Sequence, residues 1–274
     1  MSAGTRRFGL GDFEVTTLLD GVVVRDDGHA VFGANRDPAE VEALAARHGL
    51  DVRALADNFV PVLVRTPTAL VLFDTGFGAA MRPQAGQLTA RLAEVGVAPG
   101  DIDVVVLTHL HGDHVGGLTE DGAPAFANAR HVTGAREFRH WTEAQTAPAV
   151  ETHVRPLADR FTLIEDGAEI VRGITAEAAF GHTPGHMIHR LESAGQRLTL
   201  TADTANHPVL ALLHPDWHFA MDVDPLTAAA TRRRVCADLA ARGEPCVGHH
   251  MPFPALGRIE AAGDGFRWLP LEAL

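Results

Sequence analysis

Apolar residues along this chain fall into short runs bounded by turn residues, the rhythm of strands alternating with helices. Asp12–Arg25 holds β-rich runs at Val15–Leu19 and Val22–Val24 split by Asp20-Gly21, which predicts a hairpin. Asp37-Pro38 supplies an N-cap and a first-turn proline for a helix reaching about His48. Strands are expected at Phe59–Arg65 and Ala69–Phe73, the second ending in Asp74-Thr75-Gly76, and Leu88, Leu92 and Val95 mark a helix within Gln84–Val95. Asp103–Leu107 is a continuous apolar run, the pattern of a strand buried on both faces. It leads directly into Thr108-His109-Leu110-His111-Gly112-Asp113-His114. Thr142–Arg160 is polar, proline-containing and irregular, which suits a mobile lid or a surface loop. Strand signals return at Phe161–Ile164, Glu169–Ile174 and Gln196–Thr201. Asp224-Pro225 then opens a helix to about Arg242, whose Arg232-Arg233-Arg234 run reads as a solvated face. A short strand, Pro245–Gly248, delivers His249-His250.

Composition narrows the chemistry. With 274 residues and 46% hydrophobic content, one large core is affordable, so residues 1–274 are expected to form a single domain. No run approaches the ~18–20 apolar residues of a membrane span. Arg6-Arg7 is a faint export signal, but Asp12 and Glu14 interrupt the apolar core that should follow, so a cytoplasmic protein is expected. A net charge of −12 speaks against a nucleic-acid partner. Lysine is absent, which removes Schiff-base and P-loop chemistry, and the two serines, Ser2 and Ser193, sit in no nucleophile elbow. Cys236 and Cys246 lack metal or redox spacing and read as small buried thiols. Sixteen histidines remain, and their clustering is informative.

His109-x-His111-x-Asp113-His114 packs four ligand-type residues into one strand-end turn that Gly112 helps to close. His109 and His111 can hold one metal, while Asp113 and His114, across the turn, can hold a second. A lone histidine is more often structural than a ligand, but four such groups at this spacing reverse those odds.

This motif after a buried strand resembles the signature of the metallo-β-lactamase superfamily, and the likeness spans about Phe59 to Phe253. Gly181-His182-Thr183-Pro184-Gly185-His186 is similar to the downstream H-T-P-G-H element. The resemblance implies that its last histidine, His186, completes the first metal site, with His182 and Thr183 bracing the turn and His189 structural. It further implies Asp203 as the bridging carboxylate and Asp74 as an outer group that orients the His109–His114 loop, a plain turn role at the strand end being the alternative for Asp74. Asp74-Thr75-Gly76, His114-Val115-Gly116-Gly117-Leu118 and His250-Met251-Pro252-Phe253-Pro254 resemble the methyl parathion hydrolase and quorum-quenching lactonase branch. The last element places His250, not His249, at the metals, and strand alternation agrees, since neighbouring side chains point to opposite faces.

The implied fold is a four-layer α/β/β/α sandwich with two divalent metals, taken as zinc, at one edge between the sheets. The implied reaction is attack of a metal-bridging hydroxide on an ester, lactone or phosphotriester. Two divalent cations outweigh Asp113, Asp203 and a hydroxide, leaving positive charge for an anionic transition state. Asp113 is the candidate for passing a proton to the leaving group. Phe138, Trp141, Asn206, His207 and Trp217 are candidates for the substrate pocket, with His214 and His218 in the same proline-interrupted stretch as the last three. Related lactonases place a tyrosine shortly after the bridging aspartate, and this chain has none; Asn206 and His207 are the residues near that position. The expected partner is a small-molecule substrate, with no nucleic acid or membrane, and a homodimer is compatible with the reading. A glutathione-thioester hydrolase and a mono-iron persulfide dioxygenase are the alternatives on this fold. No basic C-terminal segment marks the first, and His250 together with Asp203 favours two metals over one.

Overall fold

Leu70–Phe73 and Val104–Leu107 are buried at every position, and strand alternation divides each between two apolar clusters. Val71, Phe73, Val104 and Val106 face a cluster that also contains Ile174, Ala176, Ile188, Leu198, Leu200 and Val247 from a second sheet. Leu70, Leu72, Val105 and Leu107 face the opposite way, against Leu88 and Leu92 of the helix Leu88–Glu94. Each such fully buried Leu or Val contributes roughly 1.5–3 kcal/mol relative to exposure. The computed structural model describes residues 4–145 and 147–274; Met1–Ala3 of the opening segment and Thr146 of the 142–160 stretch lie outside the described residues.

The first seven-stranded sheet runs in the order Thr5–Leu10, Phe13–Leu18, Val62–Arg65, Leu70–Phe73, Val104–Leu107, Arg130–Gly134, Phe161–Ile164. Its last four strands are mutually parallel. The second, also of seven strands, follows the chain from Glu169–Val171 to Gly265–Pro270, with one parallel pair, Gln196–Ala202 beside Pro245–Gly248. Helix Pro225–Arg242 covers the second sheet through Val235, Cys236 and Leu239. The result is the expected α/β/β/α layering. No described helix is long and apolar enough to cross a membrane.

Local signals read from the chain are recovered where the chemistry is local. Asp37 caps Pro38–Arg47 by accepting from Ala39 N, and Asp224 caps Pro225–Arg242 by accepting from Thr227 N. Gly243, in the left-handed conformation at φ 59°, ends that helix. Cys236 and Cys246 are buried free thiols. Elsewhere the structure corrects the expectation. No hairpin forms across Asp20-Gly21: Phe13–Leu18 pairs with Thr5–Leu10 and Val62–Arg65, whereas Gly21–Arg25 pairs with Leu55–Phe59. Asp20 is instead a buried hub whose carboxylate accepts from the backbone N–H groups of Phe77, Gly86 and Leu88. The 142–160 stretch is anchored, with Val150, Val154 and Leu157 buried against the first sheet's outer face. Glu169–Ile174 is not one strand: Glu169–Val171 and Ile174–Ala178 are antiparallel neighbours joined by a turn at Arg172-Gly173. Arg232 does not face solvent; its side chain is 1% exposed and fully engaged, as described below.

Two buried histidines outside the clustered groups make an acid-stability prediction. Neither ring nitrogen of His131 has a hydrogen-bond partner, and His189 Nδ1 has none. Burial, then Arg160, pushes the His131 imidazole down to about 4; burial, then His186, pushes His189 down to about 3. Both stay neutral in the fold, while an unfolded chain protonates them below about 6.5. The unfolded state therefore binds more protons as pH falls from about 6.5 toward 4, and stability drops by roughly 1.4 kcal/mol per pH unit for each group. The stability gap between wild type and His131→Leu, measured by denaturant unfolding, should shift by roughly 2 kcal/mol in the variant's favour between pH 7 and pH 4.5. Parallel pH profiles would refute it.

Candidate metal centre

Four strands deliver the candidate ligands from their carboxyl ends. Val104–Leu107 opens onto Thr108 and His109, Leu70–Phe73 onto Asp74, Gln196–Ala202 onto Asp203, and Pro245–Gly248 onto His249 and His250. Asp74 (φ 60°) and Ala202 (φ 43°) both take left-handed backbone at these exits, a strained choice for alanine that turns Asp203 out of its strand. The 181–186 loop approaches closely enough that a Cβ on Gly185 would lie 2.2 Å from the Glu137 backbone nitrogen, so glycine is required there.

Asp203 lies at the centre. Its Oδ2 is 2.9 Å from His250 Nε2, 3.3 Å from His182 Nε2 and 3.9 Å from His109 Nε2, and its Oδ1 is 3.2 Å from His114 Nε2. Asp113 Oδ2 lies 3.3 Å from His114 Nε2 and 3.5 Å from His250 Nε2. His111 Nδ1 lies 3.0 Å from His182 Nε2. Two groups thus flank Asp203: His109, His111 and His182 on one side, and Asp113, His114, His249 and His250 on the other. Within each, one donor atom per residue lies within 4.8 Å of the others.

The two histidines of the Gly181–His186 loop are used differently. Asp203 N–H donates to His186 Nε2 (3.1 Å), so the His186 Nδ1–H donates to Ala179 O (2.9 Å). Both ring nitrogens are consumed by backbone, and His186 keeps no free lone pair. His182 Nδ1 lies 2.9 Å from Asp222 Oδ1, which leaves its Nε2 facing Asp203. His186 stands apart from the cluster and His182 is inside it.

Each clustered imidazole except His111 and His249 has a separate polar group beside its other ring nitrogen, as metal-binding histidines require. His250 Nδ1 lies 2.8 Å from Asp57 Oδ1 and 3.1 Å from Asn58 O; His114 Nδ1 lies 2.9 Å from Asp74 Oδ2; His109 Nδ1 lies 3.2 Å from Thr108 Oγ1. Asp74 also accepts from Thr108 N and Oγ1, so it orients the loop as expected. Asp222 is held by buried Arg232, which also donates to the carbonyls of Thr204, Pro215 and Trp217. Glu137, fully buried, ties the two ligand loops together by accepting from Leu110 N (3.0 Å), Gly185 N (2.8 Å) and Trp141 Nε1 (2.7 Å). The His249 ring lies tilted against the His114 ring, centroids 4.0 Å apart.

The electrostatics are compatible with bound cations. Burial alone would raise the Asp113 and Asp203 carboxyls, but surrounding histidines hold both well below the usual carboxylate range. In return, Asp203 draws His114 and His250 well above the ordinary imidazole value against the effect of burial. Asp203 and Asp222 likewise raise His182 to about 9, whereas burial and His182 push His111 down to about 3. His109 Nε2, His114 Nε2 and Asp203 Oδ1 are buried without a hydrogen-bond partner. Divalent ions would balance the same carboxylates while accepting those lone pairs from neutral imidazoles. The donor set fits the expected metals.

A cavity of about 270 Å³ opens on the cluster, with Asp113, His182, Asp203 and His250 at its polar end. Phe59, Phe77, Phe219 and Met221 form an apolar wall, and Arg25, Asp57, His111, Gly112 and Asn206 complete the lining. Of the pocket candidates read from sequence, only Asn206 lines it, donating Nδ2 to Asp203 Oδ2 at 2.9 Å. His207 Nδ1 instead caps the backbone N–H groups of Val209 and Leu210, and Trp217 is core. Phe138 packs on the first sheet's outer cluster, and Trp141 reaches only the flank of His111, ring centroids 5.7 Å apart. A larger cavity of about 660 Å³, lined by Asp12, Arg172 and Arg190 among others, contains none of the clustered residues.

Comparison with known proteins agrees with this geometry. The metallo-beta-lactamase superfamily profile matches residues 61–250. The N-acyl homoserine lactonase AttM of Azorhizobium caulinodans is 32% identical over 138 residues, 46% of this chain. The chain matches about half the length of that relative, 49%. The dizinc quorum-quenching lactonase AidC, solved with its product N-hexanoyl-L-homoserine, superposes at a TM-score of 0.91 with 25% identity, covering 98% of this chain and 97% of AidC. The hydrolase AbOPH, of the beta-lactamase superfamily, gives the same TM-score, 0.91, and identity, 25%, over 99% of this chain and 98% of its own.

Proposed function

Because this chain belongs to the metallo-β-lactamase superfamily, we propose that it is a two-metal hydrolase that opens lactones, with esters and phosphotriesters open to the same chemistry. The position of Asp203 carries the reading: one carboxylate faces imidazole nitrogens of both groups at 2.9–3.9 Å, so both groups would share it as a donor. His109, His111 and His182 would hold one ion, and Asp113, His114 and His250 the other. His182 takes the place that the sequence reading assigned to His186. Nitrogen and carboxylate donors without thiolate suit zinc. Ions held there would supply a hydroxide near neutral pH and polarise a carbonyl oxygen.

The chain's own residues do the rest. Asp57, Asp74 and Asp222 fix the rings of His250, His114 and His182, and Asn206 Nδ2 holds Asp203. Asp113 is 17% exposed where Asp203 is 3% exposed, and it lines the cavity. Its Oδ2 is therefore placed to carry the proton that leaves with the alcohol. The Phe59, Phe77, Phe219 and Met221 wall receives the apolar part of a small-molecule substrate, for which lactones are favoured because AttM and AidC are lactonases. The reading treats residues 1–274 as one domain, supported by the cluster that both sheets share.

Elemental analysis of purified protein should find about two equivalents of divalent transition metal. Chelation should abolish hydrolysis of a γ-lactone, and added zinc should restore it. One tightly held iron with oxygen consumption on a persulfide would replace this reading with the dioxygenase. Two metals with turnover of glutathione thioesters alone would replace it with the thioesterase.

A further inference from the structure

Among the described residues that line the catalytic cavity, Arg25 is the one permanent cation, in a chain of net charge −12 that has no lysine. Its side chain is 25% exposed, so it sits at the rim. Arg25 Nε donates to Asp57 Oδ2 at 2.7 Å, and the other oxygen of Asp57 faces His250 Nδ1 at 2.8 Å. One edge of the guanidinium is therefore pinned. The terminal edge, with its Nη1 and Nη2 donors, makes no hydrogen bond or ion pair to the described residues. A guanidinium with a fixed plane and a free two-donor edge matches a carboxylate in bidentate geometry. The apolar side chains of Phe59 and Phe77 line the same cavity and strengthen such a contact by excluding water.

We propose that Arg25 forms an anion subsite at the cavity rim, which recognises a carboxylate borne by the substrate away from the scissile bond. The proposal rests on the hydrolase reading for the word substrate, but binding at Arg25 is measurable without turnover. The competing role is purely internal: Arg25 steadies Asp57, and through it His250, and touches nothing that enters the cavity. The two roles separate because only the first distinguishes ligands by charge.

Two esters with one leaving group, 4-nitrophenyl butyrate and 4-nitrophenyl hydrogen glutarate, differ by a terminal carboxylate. At confirmed metal loading, Arg25→Gln should lower kcat/KM on the glutarate ester about tenfold more than on the butyrate ester, through KM. Equal losses on both esters would overturn the subsite and leave Arg25 as a support for His250. Calorimetry on the metal-loaded protein supplies the arm without catalysis. Wild type should bind glutarate about tenfold more tightly than butyrate, and Arg25→Gln should not discriminate. Equal binding of the two by wild type overturns the proposal. If neither ester turns over but the glutarate preference depends on Arg25, the hydrolase reading fails and the subsite stands.

Discussion

Replacing His182 by alanine should strip about one of two metal equivalents and lower kcat/KM on a lactone by roughly a thousandfold, while His186→Ala should keep its metals. Losing an outer partner of a metal ligand typically costs about 10–100-fold, so losing the ligand itself is expected to exceed that. His182 is the histidine of its loop with a lone pair to give: Asp222 takes Nδ1, and Nε2 points at Asp203 and His111. His186 has already spent both nitrogens on Asp203 N and Ala179 O. Its loss leaves two buried backbone groups unpaired, at about 1–3 kcal/mol each. His186→Ala is therefore a stability variant with a lowered Tm and near-normal metal content. Asp222→Asn should fall between, loosening His182 and weakening metal binding by about 10–100-fold. Metal content after dialysis, read beside thermal melting, separates the three. Metal lost from His186→Ala and kept by His182→Ala would return the ligand role to His186.

That pair shows where the sequence stopped being legible. Val104–Leu107 followed by His109, His111, Asp113 and His114 is readable because strand, turn and ligands are contiguous. His182 and His186 are four residues apart in one loop, and what separates them is the Asp203 backbone N–H, 17 residues away, which occupies one of them. The carboxylates behind the ligands are more remote still. Asp57 meets His250 across 193 positions and Asp222 meets His182 across 40, so no local pattern announces either. Arg232 looked like a surface arginine because its two neighbours are surface arginines. Its acceptors, three carbonyls and Asp222, exist only once the 204–222 segment folds over it. The pocket residues failed for a related reason. Arg25, Phe59 and Phe77 come from segments with no ligand motif, whereas Trp217, which does follow the Asp203 segment, is drawn into a core with Val41 and Leu44.

Asp203→Ala and Asp113→Asn should both cripple the proposed hydrolysis, but in different ways. Asp203 is 3% exposed and faces both groups, so alanine there leaves two cations sharing a cavity without the charge between them. Their mutual repulsion should expel one, and metal and activity should fall together, activity by roughly a thousandfold or more. Asp113 belongs to one group only and lines the cavity. Asparagine there keeps an oxygen donor and removes the group that accepts a proton, so metal content should survive better than turnover. The deficit depends on the leaving group. An alkoxide needs a proton as it departs, and general acid assistance is typically worth about 10²–10⁴-fold. A nitrophenolate leaves unprotonated at neutral pH, so its ester should lose far less. Plotting log kcat/KM against leaving-group pKa, at confirmed metal loading, should give a steeper negative slope for Asp113→Asn than for wild type. Parallel lines would remove Asp113 from proton transfer and leave it as a ligand. Full metal retention in Asp203→Ala would move the bridge elsewhere, and with it the central contact on which the two-metal reading depends.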